Sequence, residues 1–475
     1  MPLRQLHLAD RAERLQVALD ALPAELEVPG GFPAEVRTEA AQAASAPPTR
    51  PGRDLTDIPF VTIDPPSSMD LDQAVHLSRD GSGYLVRYAI ADVASFVAPG
   101  GAIDLEAHRR GVTIYGPDRR APLHPVELSE GAASLLPDVE RPALVWELRL
   151  DSSGSLISTN LSRARIRSRA KLSYDGVQRS LDAGTAGEML ALLPEIGRLR
   201  QEHERARGGV SLPVPQQEIL AVDGGFRLEY ETPLPVEGWN AQLSLLTGMA
   251  AAALMRDGRV GIFRTLPDAR PHDLARLRRA AKALHVRWPE GATYAELIRS
   301  LDPAPPAHAA FLNQAATLFR GAGYDAFDGG VPSKAGHAAI RAEYAHVTAP
   351  LRRLVDRFGL ELCVSIASGG EVPDWVRRGL PLLPDVMAET GRRAGAYEAA
   401  CVALVEAAVL TGRENEVFTG VIVDMSRRDG RGEVVIEEPA VRGRVLGNDL
   451  PLGEEIAVRL VEASIETRKI AFALA

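Results

Sequence analysis

Hydrophobic and polar residues follow helical spacing at the start of the chain and strand spacing soon afterwards. Apolar positions recur every three to four residues over 12–22 and again over 33–44, which predicts two short helices. The proline-rich segment 46–52 is predicted to be a linker. Runs rich in β-branched and aromatic residues then predict strands at 60–63, 84–93, 143–151 and 156–168.

The middle of the chain returns to helical spacing. Long amphipathic stretches there predict helices at 173–182, 187–207, 238–256, 270–286, 307–320, 350–369 and 386–411. The pattern changes once more in the last segment, 416–475, where alternating runs are separated by glycine, proline and aspartate. Five short strands of this kind fit a small OB-type barrel, and they are predicted at 417–424, 433–437, 441–446, 454–462 and 468–473.

Composition and charge exclude a chain that is basic over its whole surface. The 475 residues are 45% hydrophobic and 25% charged, which is ordinary for a globular protein of one large domain with appendages or about three domains. The net charge of −9 does not exclude a local basic channel, since phosphate responds to the local field. Arginine supplies 50 of the 54 basic residues, which suits phosphate recognition or reflects nucleotide bias in the genome.

Neither the cysteines nor the N-terminus indicates an oxidising compartment or a membrane. Cys363 and Cys401 lie in predicted helices without metal-ligand spacing, and we expect buried thiols. No apolar signal segment follows the N-terminus, and the longest apolar run, 243–255, is too short to span a bilayer. We therefore expect a cytoplasmic protein.

Three aspartates meet at the ends of one short loop. Asp64 closes a predicted strand, a Pro-Pro-Ser-Ser turn follows, and Asp70 and Asp72 flank a single leucine. The two prolines disfavour a helix that would spread the acids apart. Oxygen-only ligands suit a hard divalent cation such as Mg²⁺ or Mn²⁺, although acids and serines are also common turn residues. An EF-hand is excluded because its central glycine and distal glutamate are missing.

This loop resembles the signature of the ribonuclease II family. The RNB catalytic domain of that family carries Thr-Ile-Asp, five residues, Asp, one residue, and Asp-Asp-Ala. Asp64, Asp70 and Asp72 match three of its four acidic positions, and Gln73 stands at the fourth. The resemblance implies that these four residues hold Mg²⁺ or Mn²⁺, with Asp70 and Asp72 acting in catalysis. Because an amide oxygen binds a metal more weakly than a carboxylate does, we expect weaker metal binding or slower turnover.

A second resemblance lies in the second half of the chain. Residues 344–353, YAHVTAPLRR, are similar to the family's Y-x-HFTSPIRRY. We predict that Thr348 caps a helix, that Pro350 lies in its first turn, and that the helix N-terminus forms an anion pocket with Arg352 and Arg353. The resemblance implies that Arg352 is catalytic and holds the phosphate at the RNA 3′ end, with Arg353 beside it.

Two further RNA-binding residues are implied by the family. Residues 112–117, VTIYGP, match its VYLP element, so Tyr115 is expected to stack on an RNA base. The residues alone would equally allow an ordinary strand aromatic. The family also places a glutamate near the nucleotides in a helix after the arginine element. Glu398 is the candidate, although helical surface glutamates are common.

The resemblance covers residues 51–475 and implies an α+β fold. It predicts an RNB catalytic domain at 51–412 and an OB-fold RNA-binding domain at 416–475. A short helical segment at 1–50 stands where most bacterial relatives carry two cold-shock barrels. That segment is either a small helix-turn-helix-like unit or a cap.

The implied activity is metal-dependent hydrolysis of RNA from its 3′ end to nucleoside 5′-monophosphates. The expected partner is the 3′ end of single-stranded RNA, and we expect a monomer with no nucleotide cofactor and no membrane association. Two alternatives stay open. One is an RNA-binding protein with a slow or inactive RNB site. The other is a metal hydrolase for a small phosphorylated molecule, which would leave Tyr115 and the C-terminal barrel without a purpose.

Overall fold

Two helices at the N-terminus pack into different hydrophobic clusters. The computed structural model describes residues 2–46, 52–211, 216–222, 225–231, 233–426, 430–447 and 450–475. Helices α1 (Pro2–Glu25) and α2 (Ala34–Ser45) confirm the two predicted helices, although α1 is longer than expected. Leu15, Leu19 and Leu22 of α1 are buried against the C-terminal part of the chain. Most of the predicted linker, 47–51, lies outside the described residues.

The strands after the linker close into a five-stranded barrel. The elements in this part of the chain are β1 (Arg53–Ile63), β2 (Gln73–Asp80), β3 (Gly83–Ala91), α3 (Ala102–Arg110), β4 (Ile114–Tyr115), β5 (Arg120–Ala121), β6 (Glu140–Leu150) and β7 (Leu156–Leu172). Helix α3 and the two-stranded sheet β4–β5 lie outside the barrel. The barrel order is β1-β2-β3-β6-β7, and only the β1–β7 pair is parallel. Strands β3, β6 and β7 and the end of β1 were predicted, but β2 and the closure of the five strands into a barrel were not.

The sequence of strand β3 is a nearly continuous apolar run, and its packing explains why. Alternate residues of the strand belong to two different hydrophobic clusters. Tyr88 and Ile90 pack into one, and Ala89 and Ala91 pack into the other. Both faces of the strand are therefore covered, so the polar alternation of a half-exposed strand is missing.

A helical layer follows the barrel. Its elements are α4 (Tyr174–Asp182), α5 (Glu188–Ala206), β8 (Gln216–Val222), β9 (Gly225–Glu231), α6 (Pro235–Gly258), β10 (Val260–Thr265), α7 (Pro271–Ala283), α8 (Tyr294–Ser300), α9 (Pro306–Ala316), β11 (Gly323–Asp328), β12 (Gly336–His337), β13 (Ala342–Glu343), α10 (Leu354–Ala367), α11 (Asp374–Gly379) and α12 (Leu383–Leu410). Helix α6 packs on α5 at a close approach, where a Cβ at Gly197 would lie 2.4 Å from that of Trp239. The predicted helices are present, but the hairpin β8–β9, the pair β10–β11 and helix α8 were missed.

The C-terminal segment forms the predicted five-stranded barrel. Strands β14 (Val417–Ser426), β15 (Arg431–Ile436), β16 (Val441–Leu446), β17 (Glu455–Ser464) and β18 (Lys469–Leu474) close in the order β14-β15-β16-β18-β17. Phe418 and Phe472 pack edge to face at 6.1 Å inside this barrel. Both rings are buried, so neither is presented to a ligand.

The prediction of an α+β fold with a C-terminal OB-type barrel is confirmed. Among the helices in the described ranges, none is both long enough and apolar enough to cross a bilayer.

Candidate active site

The aspartate loop and the arginine segment line the same cavity. It has a volume of about 1090 Å³ and lies between the first barrel, the strand β4 and helix α6. Pro65 fixes the loop after β1, and the loop returns to the barrel at the start of β2. The residues that line the cavity and were predicted as site residues are Asp64, Asp70, Asp72, Gln73, Tyr115 and Arg352.

Asp64 presents a buried oxygen without a protein partner. Its backbone N–H donates to the carbonyl oxygen of Leu172 at 3.0 Å, which fixes the residue at the end of β1. Its Oδ2 atom is buried and accepts no hydrogen bond from the described residues. Burial raises the pKa of Asp64 to about 6. A carboxylate in this position would gain from a cation in the cavity.

Asp72 joins the two predicted motifs directly. Its Oδ1 atom accepts the backbone N–H of Leu351 at 2.8 Å, and its Oδ2 atom accepts the Nε–H of Arg352 at 3.0 Å. The Asp72 side chain is only 3% exposed, whereas that of Arg352 is 44% exposed. Burial raises the pKa of Asp72 to about 7, and Arg352 opposes that rise.

Asp70 lines the same cavity and lies beside Tyr115. The Tyr115 hydroxyl donates to Asp70 Oδ2 at 3.1 Å, and Arg120 Nη1 lies 3.6 Å from Asp70 Oδ1. Tyr115 remains 47% exposed although it is a large aromatic residue. Its ring is therefore available at the cavity wall.

Gln73 is held at both ends of its amide. Its Nε2 group donates to the carbonyl oxygen of Thr348 at 2.7 Å, and its Oε1 atom accepts the hydroxyl of Tyr88. Only the second lone pair of Oε1 is left for a metal, so ligation by Gln73 stays a prediction. The tie to Thr348 was not foreseen from the sequence.

The helix predicted to start at Thr348 starts later. The Oδ1 atom of Asp356 accepts the backbone N–H of Ala349 at 2.8 Å, which keeps residues 348–353 as a turn, and α10 begins at Leu354. The prediction that Thr348 caps a helix that begins around Pro350 was therefore wrong. Strand β4 is tied to the same turn, because Thr113 N–H donates to the carbonyl oxygen of Arg352 at 2.9 Å.

Arg353 and Glu398 do not lie with the aspartates. Arg353 donates to both oxygens of the buried Asp356, at 2.7 and 2.8 Å, and this pairing draws it away from the cavity. Glu398 on α12 lines a second cavity of about 1140 Å³ beside the C-terminal barrel. Neither residue lines the aspartate cavity, so the expectation that they lie beside the aspartates is corrected, and their binding to RNA stays a prediction.

Several polar residues of the cavity were missed by sequence reasoning. Helix α6 contributes Glu237, Asn240 and Ser244. Ser244 Oγ lies 2.9 Å from Thr348 Oγ1, which adds another tie to the arginine turn. The available signal was the polar segment around Asn240 in an otherwise apolar helix.

The acidic oxygens suit a divalent cation, but they are not gathered into a preformed cluster. Within the described ranges, no three His, Cys, Asp or Glu side chains stand close enough together to hold a metal ion. Asp72 is turned toward Leu351 and Arg352, and Asp70 is turned toward Tyr115. The partnerless oxygen of Asp64 is the feature that fits a hard cation best.

Comparison with known proteins finds a family match for two separate segments of the chain. The RNB domain family matches residues 52–359, and the RNase II-type exonuclease C-terminal S1 domain matches residues 416–475. Ribonuclease R of Escherichia coli K12 is 28% identical over 72% of this chain and 44% of its own length. The chain thus spans under half of that relative.

Solved structures support the same fold. Mycoplasma genitalium RNase R in complex with ribose-methylated single-stranded RNA superimposes with a TM-score of 0.87 at 20% identity, over 97% of this chain and 78% of that one. Yeast Ssd1, described as a pseudonuclease, superimposes with a TM-score of 0.65 at 17% identity, over 86% of this chain and 53% of that one. The resemblance in the aspartate loop is confirmed by these matches, and the chain belongs to the RNB-domain, ribonuclease II family.

Proposed function

We propose that this protein is a hydrolytic exoribonuclease that degrades RNA from the 3′ end and releases nucleoside 5′-monophosphates. The observation that carries the proposal is the meeting of Asp64, Asp70, Asp72 and Arg352 in one cavity of about 1090 Å³. Membership of the RNB-domain family and the names of the relatives support it.

Arg352 is the group we assign to the scissile phosphate. Its Nε–H is used by Asp72, and none of the described residues accepts a hydrogen bond from its two terminal nitrogens, which could bind phosphate oxygens. The buried Asp72 fixes the direction of the guanidinium, so the phosphate would be positioned and its developing charge stabilised in the same contact. Asp72 would therefore have two roles. It orients Arg352, and it lies next to the position of the reacting phosphate.

Asp64 and Asp70 would hold a divalent cation, which we propose to be Mg²⁺ or Mn²⁺. When bound, such a cation lowers the pKa of a water ligand and offsets the charge of the phosphate. Tyr115 keeps Asp70 in place through its hydroxyl and offers its exposed ring to a base. Base stacking of this kind contributes about 1–3 kcal/mol.

The proposal is tested with 5′-labelled single-stranded RNA in Mg²⁺ or Mn²⁺. A ladder that shortens from the 3′ end, with nucleoside 5′-monophosphates as the released product, supports the assignment. Internal cuts or 3′-phosphate products would contradict it.

A second candidate is an RNA-binding protein whose RNB site is slow or inactive. Gln73 in place of an acid favours it, as does the absence of a three-acid cluster from the described residues. The same fold occurs in a protein described as a pseudonuclease. RNA affinity without hydrolysis in any divalent metal would select this candidate.

The remaining assignments rest on the sequence and belong to the proposal. We propose a catalytic domain at 51–412, an RNA-binding barrel at 416–475 and a helical segment at 1–50. The substrate would be the 3′ end of single-stranded RNA. A monomeric state and a cytoplasmic location complete this proposal.

A further inference from the structure

A third cavity, of about 470 Å³, lies outside the candidate active site and is strongly cationic. It is formed by the end of α5, by α7 and α8, and by the turn before β13. A single acid, Glu296, lies among its lining residues. Five arginines line the same cavity: Arg205, Arg207, Arg278, Arg299 and Arg341. The excess of positive charge is marked for a chain whose net charge is −9.

Most of these arginines form no ion pair among the described residues, although Glu204 acts electrostatically on Arg207 and Glu296 on Arg299. Arg341 pairs with Asp268 at 2.8 Å, but the other four form no ion pair with a carboxylate of the described residues. Backbone carbonyl groups hold two of them instead. Arg299 donates to Gly209, and Arg207 Nε donates to Ile340 at 3.4 Å.

The cavity also holds an unused donor. Arg207 Nη2 is buried and has no hydrogen-bond partner among the described residues. Glu296 is held at the start of α8, where its Oε2 atom accepts from Thr293 N–H at 2.7 Å and from Thr293 Oγ1 at 2.9 Å. Because Nη2 is buried, an anion in the cavity would reach this donor only after the Arg207 side chain shifted.

An aromatic wall accompanies the arginines. The guanidinium carbon of Arg278 lies 4.9 Å from the centre of the Trp288 ring, and Trp288 Nε1 donates to the carbonyl oxygen of Ala292. Tyr294 also lines the cavity. Arginines beside aromatic rings are the combination that binds a phosphate together with a base.

We propose that this cavity is a second nucleotide-phosphate site, which binds a phosphate of the RNA chain some nucleotides away from the cleaved bond. Gly208 lines this cavity and Ser211 lines the candidate active site, so at most about 11 Å of extended backbone separates them. The inference rests on the proposed function, because it takes the bound chain to be the RNA substrate. Free nucleoside monophosphate carries the same chemistry and is distinguished below.

The test compares RNA affinity as salt is varied, without divalent ions, for the wild type and the variant Arg205→Gln/Arg278→Gln. Neither arginine donates to a backbone carbonyl in the described residues, so the fold is expected to persist. The control Arg279→Gln/Arg392→Gln removes the same charge from exposed positions outside the cavity. We expect the Arg205→Gln/Arg278→Gln protein, the pocket variant, to bind RNA about tenfold more weakly than the wild type. The slope of its log binding constant against log salt concentration should be smaller in magnitude by about 1, and the control should match the wild type.

A parallel titration with adenosine 5′-monophosphate follows tryptophan fluorescence, with Trp288→Phe to identify the responding ring. One outcome is that the salt dependence of RNA binding is the same in both proteins while the nucleotide quenches Trp288 fluorescence in the wild type and not in the pocket variant. That result would show that the site takes free nucleotide and would overturn its assignment to the RNA chain. Equal RNA binding by all proteins together with no nucleotide response would overturn the proposal. If the wild type fails to hydrolyse RNA while either response is present, the proposed function fails and this site stands.

Discussion

The side-chain amide of Gln73 donates to the carbonyl oxygen of Thr348 at 2.7 Å, and so connects the aspartate loop to the arginine turn. At this position the family signature has an acid, which could not donate that hydrogen bond when ionised. We expect this tie to position the turn that carries Arg352.

Gln73→Glu is therefore expected to destabilise the protein, because a carboxylate oxygen would face the Thr348 carbonyl oxygen. The expected loss is about 1–3 kcal/mol in the free energy of unfolding, measured with urea. Tyr88→Phe serves as the comparison, since it removes the other hydrogen bond of Gln73 and leaves the Thr348 tie intact. Equal stability of Gln73→Glu and wild type would contradict this role.

The two neighbouring arginines of the turn are expected to respond differently. Arg353 neutralises Asp356, which is fully buried, so Arg353→Gln should cost about 3–5 kcal/mol of stability. Arg352→Lys keeps the charge beside Asp72 but loses the planar fork, so hydrolysis should fall about 100-fold with stability nearly unchanged. Urea unfolding and single-turnover hydrolysis separate the two effects. A stable Arg353→Gln protein with lost turnover would reverse the assignment.

His124 is expected to make the protein less stable in mild acid. It is buried, and burial together with the nearby Arg357 lowers its pKa to about 3 in the folded state. The unfolded chain then binds a proton between pH 6.5 and 3 that the folded chain does not. The contribution of His124 to stability is complete above that range and should fall by about 2 kcal/mol from pH 7 to pH 5.

The measurement is the difference in unfolding free energy between wild type and His124→Gln as a function of pH. That comparison removes the contributions of other groups whose pKa is lowered in the same way, such as His346. Parallel curves for the two proteins would show that His124 does not carry the effect.

The sequence predicted the elements of the site better than their arrangement. The aspartates and Arg352 were found because the short motifs that contain them resemble the signature motifs of the ribonuclease II family. The position of Glu398 was wrong because a residue on a long helix is placed by tertiary packing, which spacing alone does not reveal. The start of α10 was wrong because Asp356 competes for the backbone N–H of Ala349.

Barrel closure was also beyond the local pattern. Strand β1 pairs in parallel with β7, and these two strands lie about a hundred residues apart in the chain. The cavity lined by Arg207 and Trp288 was missed for a similar reason, since its arginines come from separate helices and turns.

The central claim is that the cavity containing Asp72 hydrolyses RNA. The most direct test compares wild type, Asp72→Asn and the control Asp54→Asn in single-turnover decay of 5′-labelled single-stranded RNA with Mg²⁺ or Mn²⁺, alongside RNA binding. Asp54 is exposed and lies outside the cavity. We predict 3′-to-5′ shortening by wild type and Asp54→Asn, and at least about a 100-fold slower reaction with retained RNA binding for Asp72→Asn. Equal decay by Asp72→Asn and wild type, or tight binding with intact RNA in all three proteins, would contradict the account.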